Sequence, residues 1–164
     1  MERKRYVIIM AAGSGTRMGA GRPKQFLELD GKAILQKTIE VFLEACPGIS
    51  VITVLPKDFI EYWRTYCLER NFVCPQILVA GGITRFHSVR NALDRVPEGA
   101  LVGVHDGVRP LVSPTFVRQM YERAEAVQAL IPVTPCVETM KVLENKDGEL
   151  RTVPGAKADR SVVF

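Results

Sequence analysis

Two kinds of segment take turns along this chain, and their exchange leaves few folds open. Residues 6–10 (YVIIM), 51–55 (VITVL), 77–79 (ILV), 101–104 (LVGV) and 129–133 (ALIPV) are short apolar runs rich in β-branched side chains. Runs that are apolar throughout, without polar alternation, are expected to be strands of a parallel sheet covered on both faces. Between them apolar residues recur at helical spacing: Ile34, Leu35, Thr38, Ile39 and Phe42, then Phe86, Val89 and Leu93, then Phe116, Val117, Met120, Tyr121 and Ala124. Ser113 followed by Pro114 reads as an N-cap with proline at the first helical position. Alternating strands and helices predict an α/β fold, a Rossmann-like three-layer sandwich with a mostly parallel twisted sheet.

The pattern changes after Val133. The segments TMKVL and ELRTV flank ENKDG, which predicts a β-hairpin turning at Asp147 and Gly148. We read residues 134–156 as a protruding β-arm within a single domain spanning 1–164. The sequence ends on ADRSVVF, which looks like the start of another strand, so the domain is expected to be incomplete at its C-terminus.

A chain of 164 residues suffices for one domain with a real core. Its composition, 47% hydrophobic and 24% charged, is ordinary for a globular protein, and no apolar run approaches the roughly 20 residues of a membrane helix. The apolar stretch after MERKR is too short for a secretory signal, so a cytoplasmic protein is expected. Cys46, Cys67, Cys74 and Cys136 are scattered, form no C-x-x-C pair and are expected to be reduced. A net charge of +4 suits nucleic acid or small anions alike. The cations are dispersed among acids outside one loop and the short RKR, however, with no basic tract interleaved with aromatics, so nucleic-acid binding is not expected.

That loop follows the first strand. From Met10 to Phe26 the chain reads MAAGSGTRMGAGRPKQF. In open α/β sheets ligands bind beyond the carboxyl ends of the strands, which is where Ala11 to Lys24 falls. Gly13 and Gly15 let backbone N–H groups approach an anion, and Arg17, Arg22 and Lys24 add charge suited to phosphate oxygens. A Walker A string is absent, and the glycine spacing G-x-G-x-x-x-G departs from the dinucleotide fingerprint. The loop is therefore read as a polyphosphate holder of another kind.

AAGSGTRMG and PKQFLELDGKAIL resemble the nucleotidyltransferases that join a nucleoside triphosphate to a sugar or polyol phosphate. The chain looks most like the 2-C-methyl-D-erythritol 4-phosphate cytidylyltransferase family of non-mevalonate isoprenoid biosynthesis. AGGITRFHSV (80–89), VHDGVRP (104–110), ETMK (138–141) and Asp159-Arg160 extend the match over nearly the whole chain.

The resemblance implies transfer of CMP from CTP to the polyol phosphate with Mg²⁺ present. The products are 4-diphosphocytidyl-2-C-methyl-D-erythritol and pyrophosphate, without a covalent intermediate. It implies Arg17 and Lys24 as the catalytic cations. It implies Ala11, Ala12, Gly13, Gly15, Gly81, Gly82, Arg85, Ser88 and Asp106 at the nucleotide, with cytosine read by the Gly81 to Ser88 segment. It further implies Asp106, Arg109, Thr139 and Arg160 at the acceptor, Asp106 toward the metal, and a homodimer formed through the arm. His105 is expected to be structural. A QTPQ-like segment and a later lysine of the family are not in this sequence. The alternatives are a ribitol-5-phosphate cytidylyltransferase, a pyrophosphorylase using UTP or dTTP, and a non-catalytic nucleotide-binding fragment. AAG in the loop favours the isoprenoid enzyme over the ribitol one.

Overall fold

The computed structural model describes residues 3–13, 22–135 and 141–157. Contacts divide the chain into two compact units, Met1–Gln128 and Ala129–Phe164.

In the first unit a four-stranded sheet is built from β1 (Arg5–Met10), β4 (Ser50–Leu55), β5 (Gln76–Ala80) and β6 (Leu101–Asp106), in the order β5-β4-β1-β6. All of its pairings are parallel. A two-stranded ribbon, β2 (Glu28–Leu29) and β3 (Lys32–Ala33), lies outside it. Val7, Ile8 and Ile9 of β1 are fully buried, as a strand covered on both faces requires.

Alternate residues of each strand enter different cores. Val7, Ile9, Val51 and Leu55 join one with Leu35, Ile39 and Phe42 of α1 (Ile34–Ala45), Trp63 and Tyr66 of α2 (Ile60–Glu69), and Val117 and Tyr121 of α4 (Pro114–Ala124). Ile8, Met10, Ile52, Val54 and Val79 join the other with Ala92 of α3 (Arg85–Leu93). The result is the expected three-layer α/β sandwich. Ser113 caps α4, its hydroxyl accepting from the Phe116 N–H at 3.2 Å, with Pro114 at the first turn.

Helix α3 presents the face its apolar spacing suggests only in part, with Val89 packed on the second core. Phe86 and Leu93 are exposed, and the buried residues are Ser88 and Ala92, small side chains one turn apart that let the helix lie close to the sheet. Helix α2 lacked a sequence signal, since only Trp63 and Tyr66 of its ten residues are buried, with Ile60, Tyr62 and Cys67 partly so.

In the second unit the expected strand at 129–133 is not formed. Those residues are irregular, Ile131 is 77% exposed, and they pair with no strand among the described residues. Pro132 carries no N–H for a ladder. The hairpin does form, from β7 (Lys141–Lys146) and β8 (Glu149–Lys157). Lys146 pairs with Glu149 across Asp147 and Gly148, whose φ values of 56° and 87° are those of a type I′ turn. Among the described residues no helix is long and apolar enough to cross a membrane.

Candidate active site

The chain runs from β1 outward to β4 and β5, then returns to place β6 on the other side of β1. At such a reversal the loops leaving the two strands diverge and open a crevice. Met10 and Asp106 are partners at the end of the β1–β6 ladder. Three backbone bonds of 2.8 Å carry the ladder one residue further: Ala11 N–H to Val54 O, Gly81 N–H to Leu55 O, and Gly107 N–H to Met10 O. The loops after β1, β5 and β6 therefore leave the sheet from fixed starting points.

They enclose a cleft of about 550 Å³. Met10 to Gly13 with Lys24 and Gln25 form one part of its lining, Gly82 to Arg85 with Ser88 a second, and Asp106 and Val108 a third. Ala11, Ala12, Gly13, Lys24, Gly82, Arg85, Ser88 and Asp106, separated by up to 95 positions in sequence, thus meet as expected. Gly81 backs the cleft; a Cβ there would press into the Ala12 Cβ and lie 3.3 Å from Ser88 Oγ, so only glycine permits this approach of the two loops. Gly15, Arg17, Thr139 and Arg160 lie outside the described residues.

Lys24 opens a short 3₁₀ turn, Lys24–Phe26, whose other side chains are anchors. Phe26 is 1% exposed and stacks on Phe59 with ring centroids 5.3 Å apart. Gln25, which sequence reasoning passed over, is also buried and donates from Nε2 to Ala11 O at 2.7 Å and Gly13 O at 3.1 Å. The only signal available was a polar residue between a lysine and an aromatic in PKQF.

The Gly81 to Ser88 segment closes on itself. Ser88 Oγ accepts from the Gly82 N–H at 2.9 Å and donates to Thr84 O at 3.0 Å. Its proton is committed to the loop. Thr84 caps α3 and meets His87 Nδ1 at 2.8 Å.

Asp106 sits between two arginines, with Arg85 Nη2 2.9 Å from Oδ1 and Arg109 Nε 2.9 Å from Oδ2. At Oδ1 the arginine is within ion-pair distance, yet no donor is aligned for a hydrogen bond. The attraction there is one of charge without a directed bond. The Arg85 side chain is 64% exposed, and pairs so open to solvent contribute at most about 1 kcal/mol. Arg85 can therefore leave Asp106 for a ligand anion at little cost. The Asp106–Arg109 ion pair joins the end of β6 to the loop after it, and Asp106 still lines the cleft. His105 holds the loop, its Nε2 3.0 Å from Arg109 O and its ring against Phe42.

Among the described residues no three His, Cys, Asp or Glu side chains gather to hold a metal. A second hollow of about 640 Å³, lined by Trp63, Cys67, Phe72 and Cys74, holds one cation, Arg64, which is paired with Glu61. Burial and the neighbouring Cys74 push the Cys67 thiol up to about 11, so it stays protonated and weakly nucleophilic at neutral pH. The cleft is different: Lys24 and Arg85 line it with one carboxylate, Asp106, which also pairs with Arg109, a balance that favours an anion.

A family model described as 2-C-methyl-D-erythritol 4-phosphate cytidylyltransferase, IspD, matches residues 6–160. Curated relatives carry the same name. The Bacteroides thetaiotaomicron protein is 44% identical over 146 residues, 89% of this chain and 67% of its own length. The Phocaeicola vulgatus protein is 46% identical over 150 residues, 92% and 68% of the two chains, and a Porphyromonas gingivalis protein 46% over 142 residues, 86% and 63%. The chain thus spans 63–68% of the length of these relatives. In fold it matches the crystal structure of 4-diphosphocytidyl-2C-methyl-D-erythritol synthase from Anaerococcus prevotii, with a TM-score of 0.76 at 24% identity over 98% of this chain and 67% of that one. With a family match over residues 6–160 and these relatives, the chain belongs to the 2-C-methyl-D-erythritol 4-phosphate cytidylyltransferase family of nucleotidyltransferases.

Proposed function

We propose that this chain binds CTP in the cleft at the β1–β6 reversal and transfers CMP to 2-C-methyl-D-erythritol 4-phosphate. The observation that carries this reading is the meeting of the glycine-loop start, Lys24 and Asp106 in one space of about 550 Å³. An oxygen of the acceptor phosphate attacks the α-phosphorus of CTP, a new phosphoanhydride bond forms, and the α–β bond breaks to release pyrophosphate. The attacking oxygen is already ionised, so no general base is needed. Catalysis then rests on alignment and on charge at the transferring group.

Lys24 supplies that charge at the α-phosphate, with Arg17 beside it in role. Ala11, Ala12, Gly13 and Gly15 hold the triphosphate. Gly81 and Gly82 read the base. Their N–H groups are engaged by Leu55 O and Ser88 Oγ, so they offer a base their carbonyl oxygens. A carbonyl accepts from the amino group of cytosine and meets only another acceptor on uracil. Ser88 acts by holding this loop.

Mg²⁺ fits the donor set in one mode. A single cleft carboxylate, Asp106, suits an ion that takes its remaining ligands from phosphates and water. When bound, it would neutralise charge on the phosphates. Arg85, weakly held by Asp106, is then free to turn toward the nucleotide, while Arg109, Thr139 and Arg160 serve the acceptor.

The second unit we read as part of the same nucleotidyltransferase domain, its hairpin the arm of a homodimer working in the cytoplasm. A lone two-stranded hairpin is marginal in water, and this one exposes Leu143 and Leu150, which supports a partner for it. The free thiols of Cys46, Cys67 and Cys74 suit a reducing compartment. Sedimentation should give a dimer; a monomer at all concentrations contradicts the arm's role.

Lys24→Ala is expected to lower kcat for pyrophosphate release by about 10²–10³-fold while changing the KM for CTP far less, because its charge counts most in the transition state. An unchanged kcat removes Lys24 from the chemistry. Asp106→Asn should abolish the gain in CTP affinity that Mg²⁺ confers on the unaltered chain, measured by titration with and without the ion. A gain of equal size in the variant excludes Asp106 as the metal's carboxylate.

A further inference from the structure

We propose that Gln25 is a positioning residue that fixes the start of the triphosphate loop relative to Lys24. The inference rests on the CTP reading above and assigns a role within it to a side chain at the cleft wall whose amide donor is spent on the loop.

Gln25 is 3% exposed, and a buried amide has to find partners inside the protein. Both bonds of its Nε2 go to the loop that leaves β1, at Ala11 O and Gly13 O. These carbonyls are two residues apart and are drawn toward the same point. In a planar trans peptide the N–H lies opposite the C=O. Turning the Ala11 carbonyl toward Gln25 therefore turns the Ala12 N–H away from it, and Ala12 lines the cleft. One side chain thus selects which backbone groups the first turn of the loop presents.

The same residue is the middle of the Lys24–Phe26 turn. Phe26, packed against Phe59 and Tyr62, prevents that turn from shifting. Lys24 is bonded covalently to the residue that holds the loop, so the backbone from which the cation extends keeps its place relative to the start of the loop. Misplacement of such groups by about 1 Å can cost about 10²-fold in rate. A methionine at position 25 would fill nearly the same volume and offer no donor, leaving two carbonyls unpaired and the first turn free to choose another orientation.

The discriminating quantity is the affinity for CTP relative to cytidine. The loop faces the phosphates and the Gly81 to Ser88 segment faces the base, so a displaced loop weakens the triphosphate alone. For Gln25→Met we expect CTP affinity of the 164-residue chain to fall by at least about ten-fold, with cytidine affinity nearly unchanged. Gln25→Glu adds a pH signature. At pH 7.5 a carboxylate faces two carbonyl oxygens and repels them, whereas near pH 5 the protonated acid donates to one of them. Part of the lost CTP affinity should return on acidification in the Glu variant, measured against the unaltered chain at each pH. The Glu variant carries the test alone if the Met variant does not fold.

A Met variant that melts at lower temperature but keeps the unaltered ratio of CTP to cytidine affinity makes Gln25 a core filler and overturns the proposal, while the CTP reading stands. A Glu variant with no recovery at low pH overturns it equally. If the unaltered chain binds neither ligand, the CTP reading fails and this inference fails with it.

Discussion

Everything at the cleft depends on the parallel pairing of β1 with β4 on one side and β6 on the other. Val7, Ile8 and Ile9 are fully buried, and their strand is fastened at both edges. The neighbouring β4 is likewise paired on both edges and buried. The bonds from Ala11, Gly81 and Gly107 extend that order one residue into three loops. The glycine-rich segment thereby begins from a fixed base. Its first turn is then held by a buried amide, not by further secondary structure.

Charge is arranged on the same base. Asp106 closes β6 beside Met10, and its two arginines come from different elements, Arg85 from the start of α3 and Arg109 from the loop after β6. Without a ligand the three neutralise one another in part, at the surface, where ion pairs are weak. On the proposed reading an incoming polyphosphate would compete with Asp106 for these arginines.

The layers were legible in the sequence because burial on both faces writes itself as unbroken β-branched runs. The turn at Asp147-Gly148 was legible because few dipeptides adopt two positive φ values. The same signal at Asp30-Gly31, with φ values of 51° and 74°, marks the β2–β3 turn and was passed over inside ELDGKAIL. The run at 129–133 misled because hydrophobicity shows a wish for burial without supplying a strand to pair with, and Pro132 removes a donor. In α3 the apolar spacing of Phe86 and Leu93 pointed outward, since close approach to the sheet selected Ser88 and Ala92. Most cleft residues were found through motifs. Gln25 was not, because its importance lies in bonds to Ala11 and Gly13, and hydrogen-bond partners more than ten positions away leave no periodic trace.

The central claim, that this cleft is built for CTP, is tested most directly by calorimetric titration of the chain with CTP, UTP and ATP in the presence of Mg²⁺. The account predicts binding of CTP with at least about ten-fold preference over UTP, the cost of setting an acceptor against an acceptor in a buried site. Equal affinity for CTP and UTP, or a preference for UTP or ATP, would contradict it.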